Sequence, residues 1–216
     1  MGNKQELLTE LEQLVLLKGY RRAKTDFIFF LREFVFTLDE HDKTAPVKRF
    51  PSKDYLDELG LLFVNEDRVL VEKSRQMMVT WLVCAFALWY TMFYDGRRTF
   101  IQSKKEKDAD ETLNRIKLIY DNLPELFKEL HPTQSAYCRL EWGKQKSVIQ
   151  AVPQGADVLR QYTASLIVSD EMAFQDKSEE AYIGSRPTLI GGGKFIGISS
   201  PNFKEFFYLL KSDLTG

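Results

Sequence analysis

Two kinds of apolar spacing alternate along this chain. Short, dense runs of strand length occur at Arg68–Glu72 (RVLVE), Arg98–Gln102 (RTFIQ), Ser147–Val152 (SVIQAV), Ser165–Ser169 (SLIVS) and Lys194–Ser199 (KFIGIS). Between them apolar residues recur at helical spacing over Val79–Tyr94, Lys104–Asn122, Ser178–Leu189 and Lys204–Lys211. Upstream, Glu6–Lys18 places leucines along roughly one face of an amphipathic helix, and Gly19 is a plausible stop. Phe27–Leu38 fits a short helix or a strand equally well. Thr44–Tyr55, with Pro46 and Pro51, predicts an extended connector. Buried runs separated by helical stretches predict an α/β fold with a mainly parallel central sheet flanked by helices. In such sheets ligands bind at the carboxyl ends of strands.

Composition narrows this picture. The chain has 216 residues, 44% hydrophobic and 28% charged, which excludes disordered and collagen-like classes. Its formal net charge of −1 gives no global signature of nucleic-acid binding, so such a surface must be a local patch. Lys104, Lys105 and Lys107 are one candidate, although a solvated helix face accounts for them. Cys84 and Cys138 match no metal spacing, Cys84 reads as a small buried hydrophobe, and a reducing intracellular compartment is expected. The N-terminus has no apolar segment of signal-peptide type. Val79–Phe93 is uncharged but is 15 residues long, against the roughly 20 needed to span a bilayer. It predicts a core helix with Trp81, Phe86, Trp89 and Phe93 in the core. His41 falls in a charged loop and His131 in a turn. Asp108, Asp110 and Glu111 gather at a helix start, where the helix dipole explains them without a metal.

The chemistry concentrates at strand ends. Leu166-Ile167-Val168-Ser169-Asp170-Glu171 has the form of a Walker B element. Its first carboxylate can bind Mg²⁺, and the neighbouring glutamate can orient and deprotonate water. After the first core strand comes the eight-residue stretch Lys73-Ser74-Arg75-Gln76-Met77-Met78-Val79-Thr80. It fills the span of a phosphate loop, with Thr80 where a hydroxyl meets Mg²⁺ and a helix N-terminus behind it. Met78-Val79 replaces the usual Gly-Lys pair, and Lys73 and Arg75 supply the cations instead. A later run ends in Ser199-Ser200-Pro201, small hydroxyl residues able to sense a phosphate. Arg160 precedes Asp170 by ten positions.

In this order the motifs resemble the ATPase domain of the large terminase subunit of tailed bacteriophages, over roughly Phe27 to Lys211. Ser74-Arg75-Gln76 is similar to the opening of terminase phosphate loops. Asp170-Glu171-Met172-Ala173-Phe174 resembles their Walker B, and Ser199-Ser200-Pro201 their coupling motif. The resemblance implies a P-loop NTPase of the additional-strand, catalytic-glutamate type that hydrolyses ATP with Mg²⁺. Lys73 to Thr80 would bind the nucleotide, and Thr80 and Asp170 the metal. Glu171 would activate water, Arg75 would act on the phosphates in cis, and Arg160 would act as a finger across a subunit boundary. No adenine-binding glutamine is evident near Lys48-Arg49-Phe50-Pro51. The implied partners are double-stranded viral DNA, a portal protein or procapsid, a small terminase subunit and further copies in a ring, taken as a pentamer. The isolated chain is expected to be monomeric, and the location the host cytoplasm, away from membrane. Residues 1–60 are expected to pack as a helical and extended segment on an ATPase core at 61–216, with no residues left for a nuclease domain. Two other readings stay open: a helicase-like ATPase fragment, and a degenerate P-loop scaffold that binds DNA or capsid partners without hydrolysis.

Overall fold

The computed structural model describes residues 2–74, 76–155, 162–202, 207 and 209–211, with side chains from residue 11 onward except 188–190. Arg75, Arg160 and half of the expected last helix, Lys204–Lys211, lie outside them. Strands β3 (Arg68–Glu72), β4 (Arg98–Ser103), β5 (Gln134–Ala136), β6 (Arg139–Trp142), β7 (Ser147–Pro153), β8 (Leu166–Asp170) and β9 (Lys194–Ser199) form one sheet in the order β3-β9-β8-β4-β7-β6-β5. The strands from β3 through β7 in that order pair parallel, and β6 and β5 continue antiparallel. This is the mainly parallel α/β sheet that the alternating runs predict.

Alternation along the strands explains how the sheet is covered. Leu166 and Val168 of β8 face the larger core, shared with α4 (Val79–Met92) and α5 (Glu106–Asp121), whereas Ile167 faces a second core with Ala181, Tyr182 and Phe195. α7 (Ser178–Ile190) supplies Ala181 and Tyr182 to that second face. Helix α4 is apolar on every side and is buried accordingly, from Leu82 through Met92 without interruption. Its outer side is covered by α2 (Phe27–Phe34) and α3 (Asp54–Asn65), and α1 (Gly2–Thr25) joins through Trp89, whose Nε1 donates to the Ala23 carbonyl at 2.7 Å. Ala23, Phe27, Phe30 and Leu31 therefore belong to the same core as α4.

The ambiguous stretch divides. Asp26 caps α2 by accepting from the Phe29 amide at 2.9 Å, and after Phe34 the chain turns into β1 (Phe36–Leu38). The expected connector contains β2 (Val47–Arg49), which pairs with β1 as an antiparallel hairpin. Helix α3, the short α6 (Glu125–Leu130) and the hairpin β5–β6 were not foreseen. Gly60 interrupts the apolar pattern of α3 because α2 crosses there: an added Cβ would meet Ile28 Cδ1 at 2.9 Å. His131 is no open turn residue. It ends α6, is buried, and bonds Tyr20 Oη through Nε2 and the Gln145 side chain through Nδ1.

Candidate nucleotide site at the carboxyl edge of the sheet

Every motif singled out in the sequence, so far as it is described, lies at the carboxyl ends of β3, β8 and β9. The loop after β3 holds its shape through backbone that a side chain rarely adopts: Gln76 and Met78 are left-handed, with φ of 64° and 57°. Met78 stands where a phosphate loop carries glycine, and it keeps the glycine-like conformation despite its side chain. Tyr55 of α3 buttresses the loop, its hydroxyl donating to the Met77 carbonyl at 3.2 Å. Among the described residues no side chain caps the start of α4, which leaves its first-turn amides available to an anion. A cavity of about 560 Å³ opens here, between the loop with Thr80 and Trp81 on one side and the β1–β2 hairpin on the other. Lys73, Ser74, Gln76, Met77, Met78, Val79 and Thr80 all line it.

Lys73 and Glu171 meet. The Lys73 ammonium lies 2.7 Å from Glu171 Oε1, and the lysine side chain is 10% exposed against 41% for the glutamate. Glu171 itself sits in left-handed backbone at φ 48°, which turns its carboxylate back over the strand ends. There its Oε2 accepts from the Ser200 amide at 3.2 Å and from the Ser199 hydroxyl at 3.4 Å. The Ser199 hydroxyl is also 3.1 Å from the Ala173 amide, which donates to it, and Asn202 Nδ2 donates to the Ala173 carbonyl. The turn after β8 and the segment after β9 are thus stitched together. Pro201 is exposed beside them.

Asp170 is buried, and its alternation with Leu166 and Val168 points it to the α4–α5 face. Its Oδ2 accepts from Thr112 of α5 at 3.1 Å and its Oδ1 from the Glu171 amide at 3.0 Å. Burial pushes its carboxyl up from the ordinary value, against the opposing pull of the Lys73 charge. Gln175 fixes the other side of the strand end, donating to Ser169 Oγ at 3.0 Å and to the Asp170 carbonyl at 2.8 Å.

Sequence reasoning missed Thr112, Gln175, Tyr55 and the hairpin. Thr112 carried a signal, since it is a hydroxyl on the apolar stripe Ala109, Thr112, Leu113, Ile116. Lys104, one of the lysines weighed as a DNA contact, instead pairs with Asp176 at 3.0 Å. Asp110 accepts from the Cys138 amide, and among the described residues no group of three or more His, Cys, Asp or Glu is placed to hold a metal. No described helix is long and apolar enough to cross a membrane.

No protein-family model matches the chain, and no curated protein matches it. Solved structures do. The bacteriophage HK97 large terminase superposes with a TM-score of 0.65 at 14% identity, over 86% of this chain and 40% of that one. The ATPase domain of the Thermus phage P74-26 large terminase gives 0.54 at 20% identity, over 74% of this chain and 73% of that one. The large terminase of a thermophilic bacteriophage in complex with ADP gives 0.58 at 12% identity, over 76% and 42%. The chain therefore spans less than half the length of the two longer terminases it resembles, and its fold is that of the large-terminase ATPase domains.

Proposed function

We propose that this chain is an ATPase domain that powers movement of double-stranded viral DNA into a procapsid. The observation that carries the reading is the meeting of Lys73, from the loop after β3, with Glu171, from the end of β8, beside a cavity of nucleotide size. The likeness to terminase ATPase domains, one of them with ADP, supports it.

In this reading the loop amides and the first turn of α4 receive the phosphates. Lys73 exchanges Glu171 for phosphate oxygens, and Arg75 adds charge from the same loop. Glu171, once released, orients a water and takes its proton as the water oxygen attacks the γ-phosphorus. The bond to the bridging oxygen breaks, leaving ADP and phosphate. Thr80 and Asp170 would hold Mg²⁺, and the donor set fits that ion: one buried carboxylate and one hydroxyl, with waters completing the shell. When bound, the ion neutralises phosphate charge. Ser199 and Ser200 report the position of Glu171 to Pro201 and the segment beyond. Residues 1–60 are read as a segment packed on the core at 61–216. Arg160 acts from a neighbouring copy in a ring, and portal, procapsid and small-subunit contacts complete the assembly in the host cytoplasm.

Mixing Arg160→Ala with Glu171→Gln chains tests the reading. Each variant should be inactive alone. Because a mixed interface can pair an intact Glu171 with an intact Arg160, DNA-dependent ATP turnover should return in the assembled mixture. Parent-rate hydrolysis by Arg160→Ala assemblies would overturn the shared site, with Arg139 the next candidate. No hydrolysis by the assembled parent would favour a scaffold without turnover, a reading that Met78-Val79 in place of Gly-Lys already suggests.

A further inference from the structure

Among the described residues four cationic side chains line the cavity, and three are engaged. Lys48 is held by Asp39 at 2.7 Å and Asp42 at 3.1 Å. Arg49 donates to the Glu33 carbonyl at 2.9 Å and lies over the Phe36 ring. Lys73 pairs with Glu171. The fourth is Arg115, which no motif in the sequence singled out. Among the described residues its guanidinium makes no hydrogen bond and no ion pair.

Its position is fixed by its helix. Thr112 of α5 bonds the buried carboxylate of Asp170, and a residue three positions further on emerges on the same face of the helix. Arg115 is accordingly close enough to Asp170 for its charge to favour the ionised carboxylate. On the other side its guanidinium carbon is 6.0 Å from the centroid of the Trp81 ring, in the first turn of α4 and adjacent to Thr80. That distance is the outer limit of a cation–π contact, so the stacking leaves the five N–H donors free. The guanidinium is half-buried at the cavity wall, with its donors open to an anion that enters the cavity.

We infer that Arg115 is a phosphate-contacting residue of the nucleotide site, a cation supplied by α5 where the phosphate loop lacks its usual lysine. The inference rests on the nucleotide reading of the cavity and adds to it a residue from outside the loop. A planar fork of donors suits the oxygens of a polyphosphate chain, and Arg115 reaches them within one chain, with no neighbour required.

Calorimetric titration of the parent, Arg115→Ala, Arg115→Lys and Arg115→Gln with Mg·ATP, and separately with adenosine, tests it. Arg115→Ala and Arg115→Gln should weaken Mg·ATP about tenfold or more while adenosine binding stays at the parent level. Arg115→Lys should recover part of the loss, and the glutamine variant keeps the helix packed if alanine loosens it. Equal Mg·ATP affinity in parent and variants, or an equal loss for adenosine, overturns the role of Arg115 while leaving the nucleotide site standing. A parent chain that fails to bind Mg·ATP removes the nucleotide site and this residue's role together.

Discussion

Glu171→Gln should tighten nucleotide binding while it removes turnover, and Lys73→Ala should do the reverse to binding. Lys73 is committed to Glu171 at 2.7 Å, so a phosphate must compete with a carboxylate for the same ammonium. Glu171 is 41% exposed, which screens the pair and limits its worth to roughly 0.5–1 kcal/mol. Removing that competition should strengthen Mg·ATP binding about two- to fivefold. Lys73→Ala instead deletes a charge-assisted phosphate contact of about 1.5–3 kcal/mol, a loss of roughly 10- to 150-fold. The double variant should bind like Lys73→Ala alone, because without the lysine the carboxylate has nothing to compete for. Turnover in Glu171→Gln should fall by about 10²–10⁴ as the general base is lost. Calorimetry on the three variants, with phosphate release followed in parallel, measures all of these. Single variants that shift affinity in the same direction, or effects that simply add in the double variant, would refute the competition.

Two further outcomes follow from buried titratable groups. Asp170→Asn should raise the melting temperature of the metal-free chain, since it removes a carboxylate whose ionisation burial opposes, while abolishing Mg²⁺-dependent nucleotide binding; a lower melting temperature would contradict the burial argument. Burial pushes His131 down from 6.5 to about 4, so the unfolded chain binds more protons than the folded one between those values. Stability should rise with pH across that window and be lost as pH falls through it, by about 1–3 kcal/mol. Urea titrations at both ends of the window should show a smaller pH difference in His131→Gln than in the parent.

The strands were legible because buried parallel strands carry short dense apolar runs, such as Val69–Val71, Phe100–Ile101, Leu166–Val168 and Phe195–Ile198. Their ends were legible for the converse reason, since polar residues such as Asp170 and Ser199 close the buried runs of β8 and β9. What stayed hidden had no such contrast. The β5 strand is wholly exposed and leaves no apolar trace, and Gly60 masks the helical period of α3 where α2 presses against it. The neighbours of Lys73, Ser199 and Ser200 could be ordered by motif. Thr112 and Arg115 reach the site only through the packing of α5 beside α4, a contact that no local spacing announces.

The order β3-β9-β8 carries a mechanical consequence. Adjacent strands stand about 4.8 Å apart, so the strand bearing Lys73 and the strand bearing Glu171 are separated by the full width of β9, and their ion pair spans the tip of that intervening strand. In the proposed cycle, making or breaking this bridge would pull crosswise on the end of β9, where the Ser200 amide is bonded to the carboxylate. The edge position of β3, laddered on one side only, makes it the compliant member, while β8 is clamped between two neighbours. In the proposed cycle such an arrangement would act as a latch with one stiff jaw and one yielding jaw, the end of β9 lying between them.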